Sequence, residues 1–121
     1  MATVVKASEQ KVYRGPEDGR SRMLIHPGMG ARNLSLGSMV FPVGGRTAPH
    51  TRETEEVIFV VRGRTAIHIA GEAHELEAGD AIYIPPGTEH YHENIGDEEL
   101  EHVWVFSPQG PEQLFYGMET E

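Results

Sequence analysis

The sequence contains two short stretches in which histidine, arginine and glutamate recur at spacings that suit metal binding or acid–base chemistry. In the second stretch, His90 and His92 flank a tyrosine shortly after the turn Pro85-Pro86-Gly87. Side chains two residues apart on a strand point to the same face, so both histidines are predicted to share one face. A histidine held just past a rigid turn is well placed to act as a metal ligand or a general base.

Both stretches have a fixed order of glycine, proline and polar residues. The first stretch places, in order, Gly44, His50, Arg52, Glu56 and Gly63. The second places Gly79, Pro85, Gly87, His90 and Asn94. A linker of fifteen residues with strand and turn character separates them. The glycines and the proline are best interpreted as turn residues, which leaves the histidines, the arginine and the glutamate for chemistry.

The elements that position these residues are predicted to be strands. Short runs rich in β-branched and aromatic residues recur every eight to twelve residues with turn signals between them, which predicts an all-β sandwich or barrel. The predicted strands are Ala2–Val5, Met23–His26, Asn33–Phe41, Glu55–Val61, Thr65–Ile69, Ala73–Glu77, Ala81–Ile84, His90–Asn94 and Glu99–Phe106. Residues 14–22 are predicted to be a loop, and Gln113–Gly117 a single helical turn.

The polar turn Ile95–Glu98 is predicted to join the last two strands into a hairpin. Hairpin geometry then places His92 opposite His102, and His90 opposite Trp104.

Composition narrows the class of protein. A chain of 121 residues fits one domain, 1–121, with a motif core at 44–94 and an N-terminal extension at 1–22. The chain has no cysteine, which excludes disulfides and thiol nucleophiles, and its net charge of −9 argues against nucleic acid as a partner. The longest apolar run, Val57–Val61, is too short to span a membrane, and the N-terminus does not resemble a secretory signal. We therefore expect a cytoplasmic protein.

The two stretches resemble the two motifs of the cupin superfamily. The second motif of that family is a glycine, a proline, a glycine, a histidine and an asparagine, and the second stretch matches it at every position. The first motif contains a His-x-His pair, and here Arg52 stands where the second histidine would be. The resemblance covers Gly44 to Asn94 and implies an all-β, cupin-type double-stranded β-helix, a small jelly-roll barrel built from two sheets.

The resemblance also implies one divalent metal ion inside the barrel, which would be Fe, Mn, Ni or Zn. Carried over by position, the candidate metal ligands are His50, Glu56 and His90. Arg52 cannot be a ligand, because a guanidinium stays protonated and has no available lone pair.

Three arrangements of the site follow. In the first, the metal is held by His50, Glu56 and His90, the ligand set of non-haem iron oxygenases, and Arg52 is a pocket cation for a substrate carboxylate. In the second, either of two further histidines, His92 or His102, completes a shell of three histidines and one glutamate. In the third, no metal binds, Arg52 and Glu56 form an internal ion pair, and the barrel binds organic ligands only.

The function implied is that of a metal-dependent enzyme acting on a small organic metabolite, with an oxygenase-type reaction favoured over isomerase, lyase or polyketide cyclase chemistry. The alternative is a non-catalytic barrel that binds or senses an anionic ligand through Arg52. His92 and His102 are the candidate catalytic residues, as proton shuttles that titrate near neutral pH. The candidate substrate-binding residues are Arg52, Tyr83, Trp104 and Phe106. Nothing resembles a phosphate loop or a dinucleotide fingerprint, so no nucleotide cofactor is expected.

A homodimer is the expected assembly. Small cupins commonly form dimers, and the predicted strand at Ala2–Val5 is a plausible exchanged element. Pairing between two chains would also cover edge strands that otherwise invite aggregation.

Overall fold

Ten strands in two antiparallel sheets form the framework of the computed structural model, which describes residues 2–15 and 18–121. The strands are β1 Tyr13–Arg14, β2 Arg20–Ile25, β3 Ser35–Phe41, β4 Glu55–Arg62, β5 Arg64–Ile69, β6 Glu72–Glu77, β7 Ala81–Ile84, β8 Tyr91–Asn94, β9 Leu100–Ser107 and β10 Glu119–Thr120. The larger sheet has the order β10-β1-β2-β3-β9-β4-β7, and the smaller has β6-β5-β8. The predicted all-β jelly-roll fold is confirmed.

The core lies between the two sheets, and β9 shows most clearly why. Its residues alternate between buried and half-buried along the whole strand, so Leu100, His102, Trp104 and Phe106 all face inward. This alternation is typical of a strand with one face on the core and one toward solvent. Most of the inward positions of the two sheets are apolar, and several of the polar exceptions lie together at the site described below.

The chain passes from the larger sheet to the smaller one at Gly63. This single residue separates β4 from β5 and has φ of 86°. A Cβ at this position would lie 2.8 Å from the carbonyl oxygen of Glu99. Because the left-handed backbone and the close approach both require glycine, the turn predicted at Gly63 is confirmed.

The predicted hairpin between the last two long strands is wrong. β8 pairs with β5 in the smaller sheet, whereas β9 lies between β3 and β4 in the larger one. The side chain of Asn94 donates to the carbonyl oxygens of Phe41, Pro42 and Glu98, which fixes a corner where the chain leaves the smaller sheet. Trp104 therefore pairs with Gly37 and Ile58 rather than with His90.

The N-terminal strand predicted at Ala2–Val5 is also wrong. The structure has no strand there, and Val4 is 77% exposed, because the segment has no apolar surface to cover it. A 3-10 helix, Ala7–Glu9, follows.

Other local predictions need smaller changes. The predicted loop at 14–22 is shorter, since its ends belong to β1 and β2, and Pro16 and Glu17 lie outside the described residues, as does Met1. The helical turn predicted at Gln113–Gly117 is confirmed as part of a 3-10 helix, Pro111–Gly117. Among the described residues, no helix is long and apolar enough to cross a membrane.

Candidate metal centre

Three histidines converge between the two sheets. One ligand atom each from His50, His90 and His92 lies within 4.8 Å of the others. The ring centroids are 4.3 Å apart for His50 and His90, and 5.2 Å apart for His90 and His92. Imidazole nitrogens suit zinc, iron, copper and nickel, so the three side chains are able to hold one divalent ion.

Backbone pairing positions two of these histidines opposite each other. His50 and His90 form an antiparallel bridge in which each N–H donates to the other's carbonyl oxygen at 2.9 Å. His92 is tied to the same segment, because its carbonyl oxygen accepts from the N–H of Thr47 at 3.0 Å. The segment before His50 therefore runs along β8 as an added edge to the smaller sheet.

The two bridged histidines are oriented by carbonyl groups. The Nδ1–H of His50 donates to the carbonyl oxygen of Ala48 at 2.8 Å, and the Nδ1–H of His90 donates to that of Thr88 at 2.9 Å. A carbonyl oxygen only accepts, so both rings carry a proton on Nδ1, which leaves Nε2 as the atom that binds a metal when the ring is neutral. Metal-binding histidines commonly have such a partner on the second nitrogen.

Glu56 brings a carboxylate to the histidines from the larger sheet. It is 4% exposed, and its Oε1 lies 3.2 Å from Nε2 of His90, while its Oε2 lies 3.7 Å from Nε2 of His92. The shorter contact is not aligned as a hydrogen bond, and both of its atoms are buried without a hydrogen-bond partner. Buried polar atoms are normally satisfied. A cation among these atoms would satisfy them, so the residues fit a metal.

The surroundings shift the pKa values of the three histidines in different directions. Burial lowers the pKa of His50, and lowers the pKa of His92 well below its ordinary value, with neighbouring positive charges adding to both effects. Burial also acts to lower the pKa of His90, but the contact with Glu56 and the bond to Thr88 outweigh it and raise the pKa. Neutral imidazole is the form that binds a metal, and His50 and His92 are held in that form.

His102 lies beside this cluster, not in it. Its ring centroid is 5.6 Å from that of His92 across the sandwich, and it is not among the three histidines that converge. Burial lowers the pKa of His102 to about 4. Neither His92 nor His102 therefore titrates near neutral pH. The expectation that they shuttle protons relied on such titration, and that part of it is wrong.

Arg52 lies next to the centre but is not paired with Glu56. Its side chain is half-buried, and no carboxylate of the described residues lies within 4.0 Å of its guanidinium. Glu56 contacts His90 and His92 instead. The internal Arg52–Glu56 ion pair of the third arrangement is thus not formed.

The family of the chain follows from comparison with known proteins. The model of the Cupin domain family matches residues 37–106, which include all three histidines and Glu56. The chain belongs to the cupin family.

Three similar proteins are informative about this cupin. The polyketide synthase CurC of Streptomyces cyaneus is 33% identical over 119 residues, which cover 97% of this chain and 75% of that protein. The structure of the polyketide cyclase RemF from Streptomyces resistomycificus superposes with a TM-score of 0.80 at 26% identity, covering 92% of this chain and 82% of that one. Oxalate oxidase GF-3.8 of Triticum aestivum is 28% identical over 98 residues, 74% of this chain but only 44% of that protein.

Two of the three aromatic residues predicted to bind substrate lie inside the cupin sandwich, and the third lies on its surface. Trp104 and Phe106 are buried inside it with ring centroids 5.1 Å apart, and Phe106 pairs with Glu56 across neighbouring strands. Tyr83 does not reach the site, because it is 55% exposed on the outer face of β7, where its hydroxyl donates to Glu55 at 2.6 Å. Side chains alternate between the two faces along β7, so the residue next to Tyr83 that points inward is Ile84.

One interior aromatic residue was not found from the sequence. Phe115 in the C-terminal 3-10 helix is 5% exposed and stacks on Trp104 at 5.4 Å between ring centroids. The helical turn was predicted, but a single turn has too little periodicity to show which side chain it buries.

Proposed function

We propose that this cupin is an enzyme that binds one divalent metal ion, Fe, Mn, Ni or Zn, and acts on the carbonyl group of a small organic molecule. The observation that carries the proposal is the convergence of His50, His90, His92 and Glu56 at a buried point between the two sheets. The bound metal would act as a Lewis acid that polarises a substrate carbonyl and favours its enolate.

The reaction we propose is enolisation followed by ring closure, as in a cyclase. The sequence favoured an oxygenase because two histidines and one carboxylate were the ligands carried over from the motif. A third histidine, His92, lies with them and changes the donor set. Two similar proteins, which match 97% and 92% of this chain, are a polyketide synthase and a polyketide cyclase, which supports carbonyl chemistry.

Residues of the chain supply the rest of the mechanism. Glu56 would hold the metal through Oε1, which has no hydrogen-bond partner, and its other oxygen, Oε2, would be the base that takes a proton from the carbon next to the carbonyl. The buried rings of Trp104 and Phe106 form an apolar wall, which packs against a planar substrate and excludes water. The Nδ1 bonds of His50 and His90 hold the histidine rings in place during the reaction.

Hydrogen–deuterium exchange tests this proposal. The metal-loaded protein should exchange the α-protons of a 1,3-dicarbonyl compound in D2O, followed by NMR, and Glu56→Gln should slow the exchange roughly 100-fold or more, as expected when a general base is lost. Glu53→Gln is the matched control, since Glu53 is an exposed carboxylate three residues away. Exchange no faster than in metal-free protein would contradict the proposal.

An oxygenase remains the second candidate, because Glu56 supplies the carboxylate of a two-histidine, one-carboxylate set and the wheat relative is an oxalate oxidase. An oxygen electrode separates the two: iron-loaded protein that consumes oxygen with the same substrate supports the oxygenase. A non-catalytic barrel would bind the compound without exchange or oxygen uptake.

A further inference from the structure

Arg52 occupies a fixed position at the edge of the metal centre. It lies two residues after His50 and four before Glu56, and its carbonyl oxygen accepts from the N–H of Gly87 at 2.8 Å. This bond attaches the Arg52 segment to the turn that precedes His90. The backbone therefore holds Arg52 between the two stretches that supply the histidines.

The Arg52 side chain lacks the ion pair that three other arginines of the described residues make, and of the two described arginines with a buried, unpartnered Nε, Arg22 and Arg52, it is the one beside the histidines. Arg20, Arg62 and Arg64 are each about half exposed at the side chain and each contact a glutamate at 3.0 to 3.4 Å. Arg52 Nε is buried and has no hydrogen-bond partner, and no described carboxylate pairs with the guanidinium. The side chain is half-buried, but a buried donor without a partner is costly, so an acceptor from outside the described residues would satisfy Nε.

The charge of Arg52 also reaches the centre. It acts to lower the pKa of both His50 and His90, although the pKa of His90 is raised overall, so the guanidinium lies within electrostatic range of the histidines. A guanidinium binds carboxylate oxygens through a fork of parallel N–H donors, which fixes orientation as well as charge.

We propose that Arg52 binds an anionic oxygen of the substrate while a carbonyl of the same molecule lies at His50, His90 and His92, which makes the substrate class a small keto acid. This inference rests on the proposed function, because the carbonyl position is defined by the metal centre. Arg52 thus replaces a motif histidine with a group that selects the charge of the substrate.

The competing explanation is that Arg52 only balances the charge of Glu56. The two are electrostatically coupled, since Glu56 acts to raise the pKa of Arg52 against the larger effect of burial. In that case the residue would affect neutral and anionic ligands alike. A ligand pair that differs only in charge therefore distinguishes the two explanations.

The test compares acetoacetate with acetoacetamide by isothermal titration calorimetry on metal-loaded protein. We expect Arg52→Gln to weaken acetoacetate binding about 10- to 100-fold, the effect of losing a charge-assisted hydrogen bond, and to leave acetoacetamide unchanged. Arg52→Lys keeps the charge but not the fork, so it should lie in between. Arg64→Gln is the control, because Arg64 is exposed and paired with Glu75.

The outcomes separate this inference from the proposed function. Equal loss for both ligands in Arg52→Gln, or no binding of acetoacetate to the wild type at millimolar concentration, would overturn the role of Arg52. If the samples hold no metal but the preference for acetoacetate still depends on Arg52, the anion site stands and the proposed enzyme fails. Arg52→His serves as a further check, since it should keep the metal while losing the preference for the anion.

Discussion

At the scale of single residues, the metal centre depends on hydrogen bonds that each fix a histidine ring in one orientation. His50 and His90 each donate from Nδ1 to the carbonyl oxygen two residues earlier, at 2.8 and 2.9 Å. The same geometry occurs in both stretches, so each ring is oriented by the backbone of its own segment. Neither ring needs a second side chain to orient it, so the interior is left free for Glu56 and a ligand.

Asn94 is the residue that ties the end of β8 to the rest of the barrel. It is 3% exposed, its Nδ2 lies within 3.3 Å of three carbonyl oxygens, and its Oδ1 accepts from the N–H of Gly96 at 3.0 Å. These hydrogen bonds hold the end of β8 in place. The motif asparagine is therefore structural.

We predict that Asn94→Ala lowers the free energy of unfolding by about 1–3 kcal/mol, because several buried backbone groups lose their partner. Urea unfolding followed by circular dichroism measures it. Asn33→Ala is the control, since the exposed Asn33 contributes only its backbone carbonyl, which accepts from Ser107. Equal stability of Asn94→Ala and the wild type would contradict the role assigned to this side chain.

Residue spacing predicted which side chains belong to the site better than it predicted their roles. His50, Glu56 and His90 were carried over by position from the cupin motifs, and the structure brings them together. The position of His92 relative to them depends on which strands pair, and pairing is set by contacts distant in sequence. Tyr83 was placed in the pocket on residue type alone, but the face of a four-residue strand changes with a shift of one residue.

At the scale of elements, the close approach of β3 and β9 stands out. A Cβ added at Gly37 would collide with the ring of Trp104 and with the carbonyl oxygen of Arg22. The indole is thus able to lie against the backbone of β3 only because this position has no side chain. The inward wall of the barrel at Trp104 is shaped by that glycine.

Gly37→Ala should destabilise the fold by roughly 1–3 kcal/mol, since the strand or the indole has to move to make room. Gly117→Ala is the matched control, because a Cβ there would meet nothing within 4 Å, and its effect should stay within about 0.5 kcal/mol. Thermal and urea unfolding of the two variants test the difference. Similar stability of both would show that the barrel wall is not tightly packed.

The C-terminal 3-10 helix, Pro111–Gly117, closes one side of the core through a buried carboxylate. Glu112 is 0% exposed, and its Oε1 accepts from the N–H of Gly110 at 2.7 Å. Burial acts to raise the pKa of Glu112, but the nearby Ser35 hydroxyl, which is not aligned as a full hydrogen bond, and the donors of Gly110 and Gln113 outweigh it and lower the pKa.

The lowered pKa of Glu112 predicts a dependence of stability on pH. The unfolded chain takes up a proton at Glu112 at a higher pH than the folded chain does, so this contribution is complete above the unfolded pKa. It is lost as the pH falls through the folded pKa. Glu112→Gln should therefore flatten the decline of the urea midpoint below about pH 4.3, the ordinary pKa of glutamate. An unchanged acid profile in the variant would contradict this assignment.

Element prediction succeeded where the information was local and failed where it was not. The turn at Gly63 was predicted correctly, because it depends on the positive φ of this one residue. The hairpin between β8 and β9 failed because the turn at Ile95–Glu98 crosses between two sheets, and nothing in those four residues distinguishes a crossing from a return. The strand predicted at Ala2–Val5 is absent, because a β-like composition does not provide a neighbouring strand with which to pair.

At the scale of the whole molecule, the homodimer expected from the sequence stays a prediction. Val4 is 77% exposed in a segment that pairs with no strand of its own chain, which leaves it available to a second copy. We expect light scattering to give a dimer at micromolar concentration, and removal of residues 1–6 to shift it toward monomer. Ser8→Ala, an exposed change just beyond that segment, should leave the mass unchanged. A monomeric wild type would rule the dimer out.

The central claim also belongs to the whole molecule, because Glu56 lies on the larger sheet, whereas His92 lies on the smaller one and His90 directly precedes the same strand. A metal held by these residues would link the two layers at the middle of the barrel. His102, which faces His92 from the larger sheet, is the internal comparison, since it is equally buried but lies outside the convergent cluster.

The most direct measurement is metal content by elemental analysis of protein purified without an affinity tag, for the wild type, His92→Leu and His102→Leu side by side, with folding checked by circular dichroism. The account predicts close to one divalent ion per chain in the wild type and in His102→Leu, and little in a folded His92→Leu. A wild type that holds no metal even after reconstitution, or a His92→Leu variant that keeps it, would contradict the three-histidine centre.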